Sequence, residues 1–223
     1  MEASFWHRKW ERGEINFHES EANPLLTTHF EKLNLAKGSR VFLPLCGKTR
    51  DIAWLLANGY RVAGAELSAQ AINDLFKELG REPAISTVGK LSRYSADDID
   101  IWVGDIFEVS AEYLGPVNAI YDRAALVALP AGTRQQYASH LMQISGTVPQ
   151  LLITYEYDQS VIDGPPFSVN EDEVERHYGA AYQLQSLETK QIAGGLKGKV
   201  ASTETAWLLQ KANRQNVKAQ PTA

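Results

Sequence analysis

The chain has 223 residues, 44% of them apolar or aromatic, which fits one large domain with a core that needs no disulfide staple. Its formal net charge of −5 argues against a nucleic-acid partner, because binding a phosphate backbone takes clustered Lys and Arg; a small anionic substrate held by one or two arginines stays open. One cysteine, Cys46, excludes an internal disulfide and matches a reducing compartment.

The first fourteen residues, MEASFWHRKWERGE, lack the apolar core of a signal peptide, and no run reaches the roughly 20 apolar residues of a membrane span. The expectation is a soluble, cytoplasmic, monomeric protein with no membrane partner. Residues 3–12 carry Phe5, Trp6 and Trp10 among charges and read as a short helix. Residues 22–35 place Leu25, Leu26, Phe30 and Leu33 near helical spacing; Pro24 suits a helix start, and Gly38 closes the segment. RVFLPL (40–45) is a first strand, 48–58 a helix stopped by Gly59, and RVAGAEL (61–67) a second strand. A helix capped by Ser68 runs to Gly80. Strands follow at 99–107, 117–123 and 151–158, with a helix at 133–145 before the last of them. After Gly164-Pro165-Pro166 comes a short capped helix at 170–179, then two strands near 182–192 and 203–210 that can pair antiparallel.

This alternation predicts an α/β, Rossmann-like fold: a mostly parallel sheet with helices on both faces. The C-terminal antiparallel pair fits its seven-stranded methyltransferase variant, with the N-terminal helices as a cover. Residues 1–211 are expected to form one domain, 1–35 its covering segment, and 212–223 a disordered tail.

In such a sheet, ligands bind beyond the carboxyl ends of the strands. LPLCGKT (43–49), Glu66 and Asp105 stand at three of those ends. Gly47 and Glu66 are separated by about the 20 residues expected between a nucleotide-binding turn and a ribose-binding acid. Glu66 is either that acid or a surface carboxylate; its place between a buried run and a capped helix favours the ribose. Asp105 either borders a cofactor or caps the following turn. CGKT is not a phosphate-binding loop, since Phe42 occupies the position of the motif's first glycine. A dinucleotide fingerprint is also missing, because only Gly47 is present in the turn. A turn this poor in glycine suits S-adenosylmethionine, which carries no phosphate, better than a nicotinamide cofactor. Trp6, Trp10 and Phe17 either staple a helix to the core or cover a sulfonium, which aromatic faces attract. Arg123, ending the fourth strand, either pairs with a carboxylate of cofactor or substrate or forms a salt bridge to Asp122 or another acid. The five histidines are dispersed, so no metal site is expected. An NAD-dependent oxidoreductase and a non-catalytic S-adenosylmethionine-binding module remain as alternatives.

Four stretches together, FWHRKWERGEINFHE, RVFLPLCGKTRDIAWLLANGYRVAGAELS, VGDIF and IYDRAALVALP, resemble the bacterial thiopurine S-methyltransferases. The resemblance covers nearly the whole chain to about Lys211. It implies methyl transfer from S-adenosylmethionine to the sulfur of aromatic or heterocyclic thiols, with selenium and tellurium species (tellurite among them) as further acceptors. It also implies roles for matching residues. Trp10 would cover the cofactor, Leu45 would lie beside its methionine part, Glu66 would hold the ribose hydroxyls, and Asp105 and Ile106 would flank the adenine. Phe17 would border the substrate. Arg123 would act at the junction of donor and acceptor, as the catalytic residue and as a contact to both. The GGLKGKVAS region gives no match to the family's C-terminal substrate residues.

Overall fold

The computed structural model describes residues 3–14 and 19–212. One mixed sheet of nine strands runs through it. The strands are β1 (Arg40–Pro44), β2 (Arg61–Glu66), β3 (Ala84–Val88), β4 (Leu91–Ala96), β5 (Ile99–Val103), β6 (Ala119–Asp122), β7 (Gln150–Tyr157), β8 (Tyr182–Gln191) and β9 (Ser202–Lys211). Their order is β3-β4-β5-β2-β1-β6-β7-β9-β8. The inner five strands, β5-β2-β1-β6-β7, are parallel, and both flanks are antiparallel.

Nine strands replace the expected seven. The two additional ones form the β3–β4 hairpin. Its turn is Gly89-Lys90, with Gly89 at φ +60 as a two-residue hairpin loop requires. The hairpin escapes a periodicity search because β3 is almost wholly exposed, Ile85 included, so it has no buried face to alternate against. Its partner β4 buries only Leu91 and Tyr94. The strand expected over 99–107 ends at Val103, and residues 106–108 turn into a short 3-10 helix.

Successive residues of a strand face opposite sides, so the sheet feeds two cores. Phe42, Ile120, Leu152 and Trp207 pack on one side against α6 (Ala131–Ser145) and α7 (Glu171–Tyr178). Val41, Leu43, Leu151 and Leu208 pack on the other against α2 (Pro24–His29), α3 (Arg50–Ala57) and α4 (Ala69–Glu78). The helix starts follow their caps: Asn23, Thr49, Ser68 and Asn170 each accept a hydrogen bond from an amide of the first turn. The segment from Pro24 ends at Asn34, left-handed at φ 50, rather than at Gly38. α1 (Ala3–Glu11) carries the expected N-terminal aromatics, and α5 (Ala111–Leu114) is a single unexpected turn. The expected tail lies outside the described residues beyond Ala212. No helix among the described residues is long and apolar enough to cross a membrane.

β1 is the switch point: β2 and β5 lie to one side of it, β6 and β7 to the other. All five parallel strands end at the same edge, which is where this topology leaves a crevice.

Candidate active site

A cavity of about 860 Å³ opens at that edge. The ends of β1, β2, β5, β6 and β7 supply Leu45, Glu66, Asp105, Arg123 and Tyr155 to it, and α1 lies across it with Phe5, Trp6 and Trp10. Six of the seven residues to which the resemblance gives roles border this one cavity: Trp10, Leu45, Glu66, Asp105, Ile106 and Arg123. The seventh, Phe17, lies outside the described residues.

The turn after β1 is strained where it meets the cavity. Leu45 sits at φ 47, and Ala124, on the turn after β6, at φ 60. Left-handed backbone costs a residue with a Cβ roughly 1–3 kcal/mol, and such strain concentrates at ligand sites. Gly47 is left-handed as well, at φ 52, and a Cβ there would stand 3.0 Å from the Trp10 ring. Glycine at 47 thus lets the indole lie directly on the turn. Trp10 is 5% exposed and borders the cavity, so it staples α1 to the body beside the site.

Glu66, the last residue of β2, is 6% exposed. Its Oε2 accepts a hydrogen bond from the Gly47 amide at 2.8 Å, and its Oε1 accepts one from Ser68 at 2.9 Å. Burial pushes its carboxyl above the ordinary range, and the amides of Ser68, Gly47 and Leu67 pull it back. A surface carboxylate would show neither this burial nor this anchoring. Each oxygen keeps a lone pair, and a vicinal diol offers the two donors that such a pair of acceptors fits. Asp105 caps the 3-10 helix by accepting from Phe107 N at 3.0 Å, as one of its two expected roles has it, and it also borders the cavity. Gly104 N donates to Glu66 O at 2.9 Å, tying the ends of β5 and β2.

Arg123 forms a salt bridge to an acid, one of its two expected roles, but the acid is Glu19 and not Asp122. Adjacent residues leaving a strand point to opposite faces, and Asp122 turns into the core under α6. There Asp122 accepts from Leu126 N at 3.1 Å and from Tyr137 OH at 2.8 Å. The Arg123 side chain, 7% exposed, pairs instead with Glu19, Nη2 to Oε1 at 2.5 Å. Its Nε is buried with no hydrogen-bond partner among the described residues. Burial works against the guanidinium's charge, but Tyr155, Tyr121, Glu19 and Asp51 hold its pKa above the ordinary value. Arginine therefore enters the cavity as a fixed cation with donor capacity to spare.

Glu19, Tyr155, Lys9, Pro165, Pro166 and Lys197 also border the cavity, and no sequence signal singled them out for it. Glu19 is one acid among several in a polar stretch. Tyr155 stands two residues before the end of a strand that is otherwise mostly apolar and buried. Lys197 comes from the GGLKGK loop, which resembled nothing.

Burial pushes the Asp122 carboxyl up to about 6 against its hydrogen bonds. Its folded pKa thus lies above the unfolded value of about 3.9, so the native state takes up the proton first as pH falls. This group's contribution to stability is greatest below pH 4 and is lost as pH rises through 6. We expect the wild type to gain about 2 kcal/mol relative to Asp122→Asn between pH 7 and pH 4. Parallel urea titrations of the two proteins across that range would show no change in their difference if the carboxyl titrates normally.

Comparison with known proteins agrees with this geometry. Residues 1–212 match the family model described as Thiopurine S-methyltransferase. A thiopurine S-methyltransferase of Teredinibacter turnerae is 54% identical over 211 residues, covering 95% of this chain and 98% of that protein. One from Xanthobacter autotrophicus is 52% identical over 213 residues, covering 95% of this chain and all of that protein. Among solved structures, an S-adenosylmethionine-dependent methyltransferase of Anabaena variabilis shares the fold, with a TM-score of 0.62 at 15% identity over 94% of this chain and 95% of that one. So does 1,6-didemethyltoxoflavin-N1-methyltransferase of Burkholderia thailandensis, solved with S-adenosylhomocysteine, with a TM-score of 0.64 at 13% identity over 94% of this chain and 87% of that one. The chain therefore belongs to the thiopurine S-methyltransferase family of S-adenosylmethionine-dependent methyltransferases.

Proposed function

We propose that this methyltransferase acts on the sulfur of aromatic or heterocyclic thiols, and on selenium and tellurium species by the same soft-nucleophile chemistry. The observation that carries the reading is one cavity with a buried carboxylate, Glu66, at one strand end and a buried cation, Arg123, at another. A cavity of about 860 Å³ has room for a donor and a small planar acceptor together.

Glu66 would hold the ribose, with Asp105 and Ile106 beside the adenine and Leu45 beside the methionine part. Trp10 would close the site from α1, and Phe17 would border the acceptor. The bound donor supplies a sulfonium whose methyl carbon is already activated, so no covalent enzyme intermediate is needed. What remains for the protein is alignment and exclusion of water. Cys46, near the donor turn, is no nucleophile, because burial pushes its thiol well up. Arg123 would face the acceptor and stabilise its sulfur as an anion. Residues 1–211 would act as a single cytoplasmic domain, with 1–35 as the cover.

Ligand-dependent melting tests the reading. At a hundredfold excess over Kd, a ligand that binds only the native state adds about 2.7 kcal/mol, several degrees for a chain of this size. S-adenosylmethionine and its demethylated product are expected to raise Tm in this way, and NADH and ATP to leave it unchanged. A shift with NADH alone would restore the oxidoreductase alternative. A shift with the donor, but no methyl transfer to any thiol, selenium or tellurium acceptor, would leave a binding module.

A further inference from the structure

Building on the reading of a thiol acceptor, we propose that Glu19 is the base that takes the acceptor's S–H proton as the methyl group is transferred. A thiol that is protonated at neutral pH needs a proton sink beside the reacting sulfur. Among the described residues on the cavity, the other carboxylates are committed elsewhere. Glu66 is tied to the Gly47 and Ser68 amides, and Asp105 caps the turn at Phe107. Glu14 is paired with Lys9, a contact that lowers its basicity. Burial raises the Tyr155 phenol, which therefore stays protonated. Glu19 alone stands against the Arg123 guanidinium, where the acceptor's sulfur would sit.

Charge balance favours the exchange. Before the reaction Arg123 and Glu19 form a neutral pair, and a thiol enters as a neutral molecule. Moving its proton to a Glu19 oxygen leaves Arg123 facing a sulfur anion, and the site's net charge does not change. The sulfur lone pair then forms the new S–CH3 bond, while the electrons of the donor's S–CH3 bond return to its sulfur. Arg123, which borders the cavity, stays beside the sulfur as its counter-charge. The Glu19 side chain is 45% exposed, so water can carry the proton away and restore the ion pair. Its surroundings suit a base: burial raises its pKa, with Asp51 and Glu204 adding to the rise and Arg123 and Lys190 opposing it. A carboxylate shifted toward neutrality is the better proton acceptor.

The test is a series of aromatic thiols of graded acidity, assayed at one pH with wild type, E19Q and E19D. Wild-type kcat/KM is expected to vary little across the series. The E19Q enzyme is expected to lose roughly 10²-fold or more on thiols that are mostly protonated, and at least tenfold less than that on thiols already ionised. E19D, with its carboxylate one methylene short, is expected to recover part of the loss on protonated thiols. Calorimetry with the demethylated donor product and melting curves report whether each variant folds and binds. An even loss across the series, a loss E19D does not relieve, or no loss in E19Q would overturn the assignment. If wild type methylates none of the thiols, the acceptor class itself is wrong and the assignment falls with it. If wild type turns over the series while E19Q falls evenly, only the proton transfer is overturned.

Discussion

Glu66→Ala is expected to weaken S-adenosylmethionine binding by about 30- to 150-fold, roughly 2–3 kcal/mol, because the ribose hydroxyls lose a charged acceptor in a buried site. The same change strips the Gly47 and Ser68 amides of their acceptor, so some stability goes with it. Glu66→Gln separates the two effects. Its carbonyl oxygen can still accept from one of these amides, while its NH2 group faces donors where acceptors are needed. We expect the glutamine variant to melt closer to wild type than the alanine variant, yet to lose most of the same affinity. The pH dependence adds a signed check. Burial raises the Glu66 carboxyl, so it protonates before an ordinary glutamate as pH falls, and protonation removes an acceptor. Affinity should therefore weaken on acidification in the wild type and stay flat in the glutamine variant. Calorimetric titration with the donor measures all of this, and unchanged affinity in both variants would return Glu66 to a purely structural role in its turn.

Arg123→Ala is expected to lower turnover of an aromatic thiol by roughly 10²-fold, the usual loss when one donor to a reacting anion is removed. Donor affinity should fall far less. Lysine at 123 should restore only part of the rate, because a point charge does not reproduce a planar fork that serves Glu19 with Nη2 and keeps its other N–H groups in a fixed geometry. Other outcomes point elsewhere. If Arg123 clamps the donor's carboxylate, turnover and donor affinity fall together. If the pair with Glu19 is only a structural ion pair, Tm drops while the folded enzyme keeps its rate per molecule. Steady-state kinetics, donor titration and melting on the two variants distinguish the three roles.

The strand–helix alternation, the caps at Ser68 and Asn170 and the polarity of the strand ends were all legible from the chain itself. Each rests on local physics: backbone periodicity, the unpaired amides of a helix start, and the apolar runs of strands buried on both faces. The parallel topology then does the rest, since it brings every carboxyl end to one edge. Leu45, Glu66, Asp105, Ile106 and Arg123 therefore meet on one cavity although up to 78 residues separate them, while Trp10 reaches it from α1. Tertiary structure alone decided which groups meet across long separations. Glu19 and Arg123 lie 104 positions apart, and nothing near Glu19 marks it as that arginine's partner. The edge hairpin β3–β4 was likewise hidden, because a strand with no buried face leaves no hydrophobic pattern to read. Asp122 and Arg123 show the boundary between the two. They are neighbours in the chain and opposites in space, one driven into the core where burial raises its carboxyl, the other turned onto the cavity as a cation.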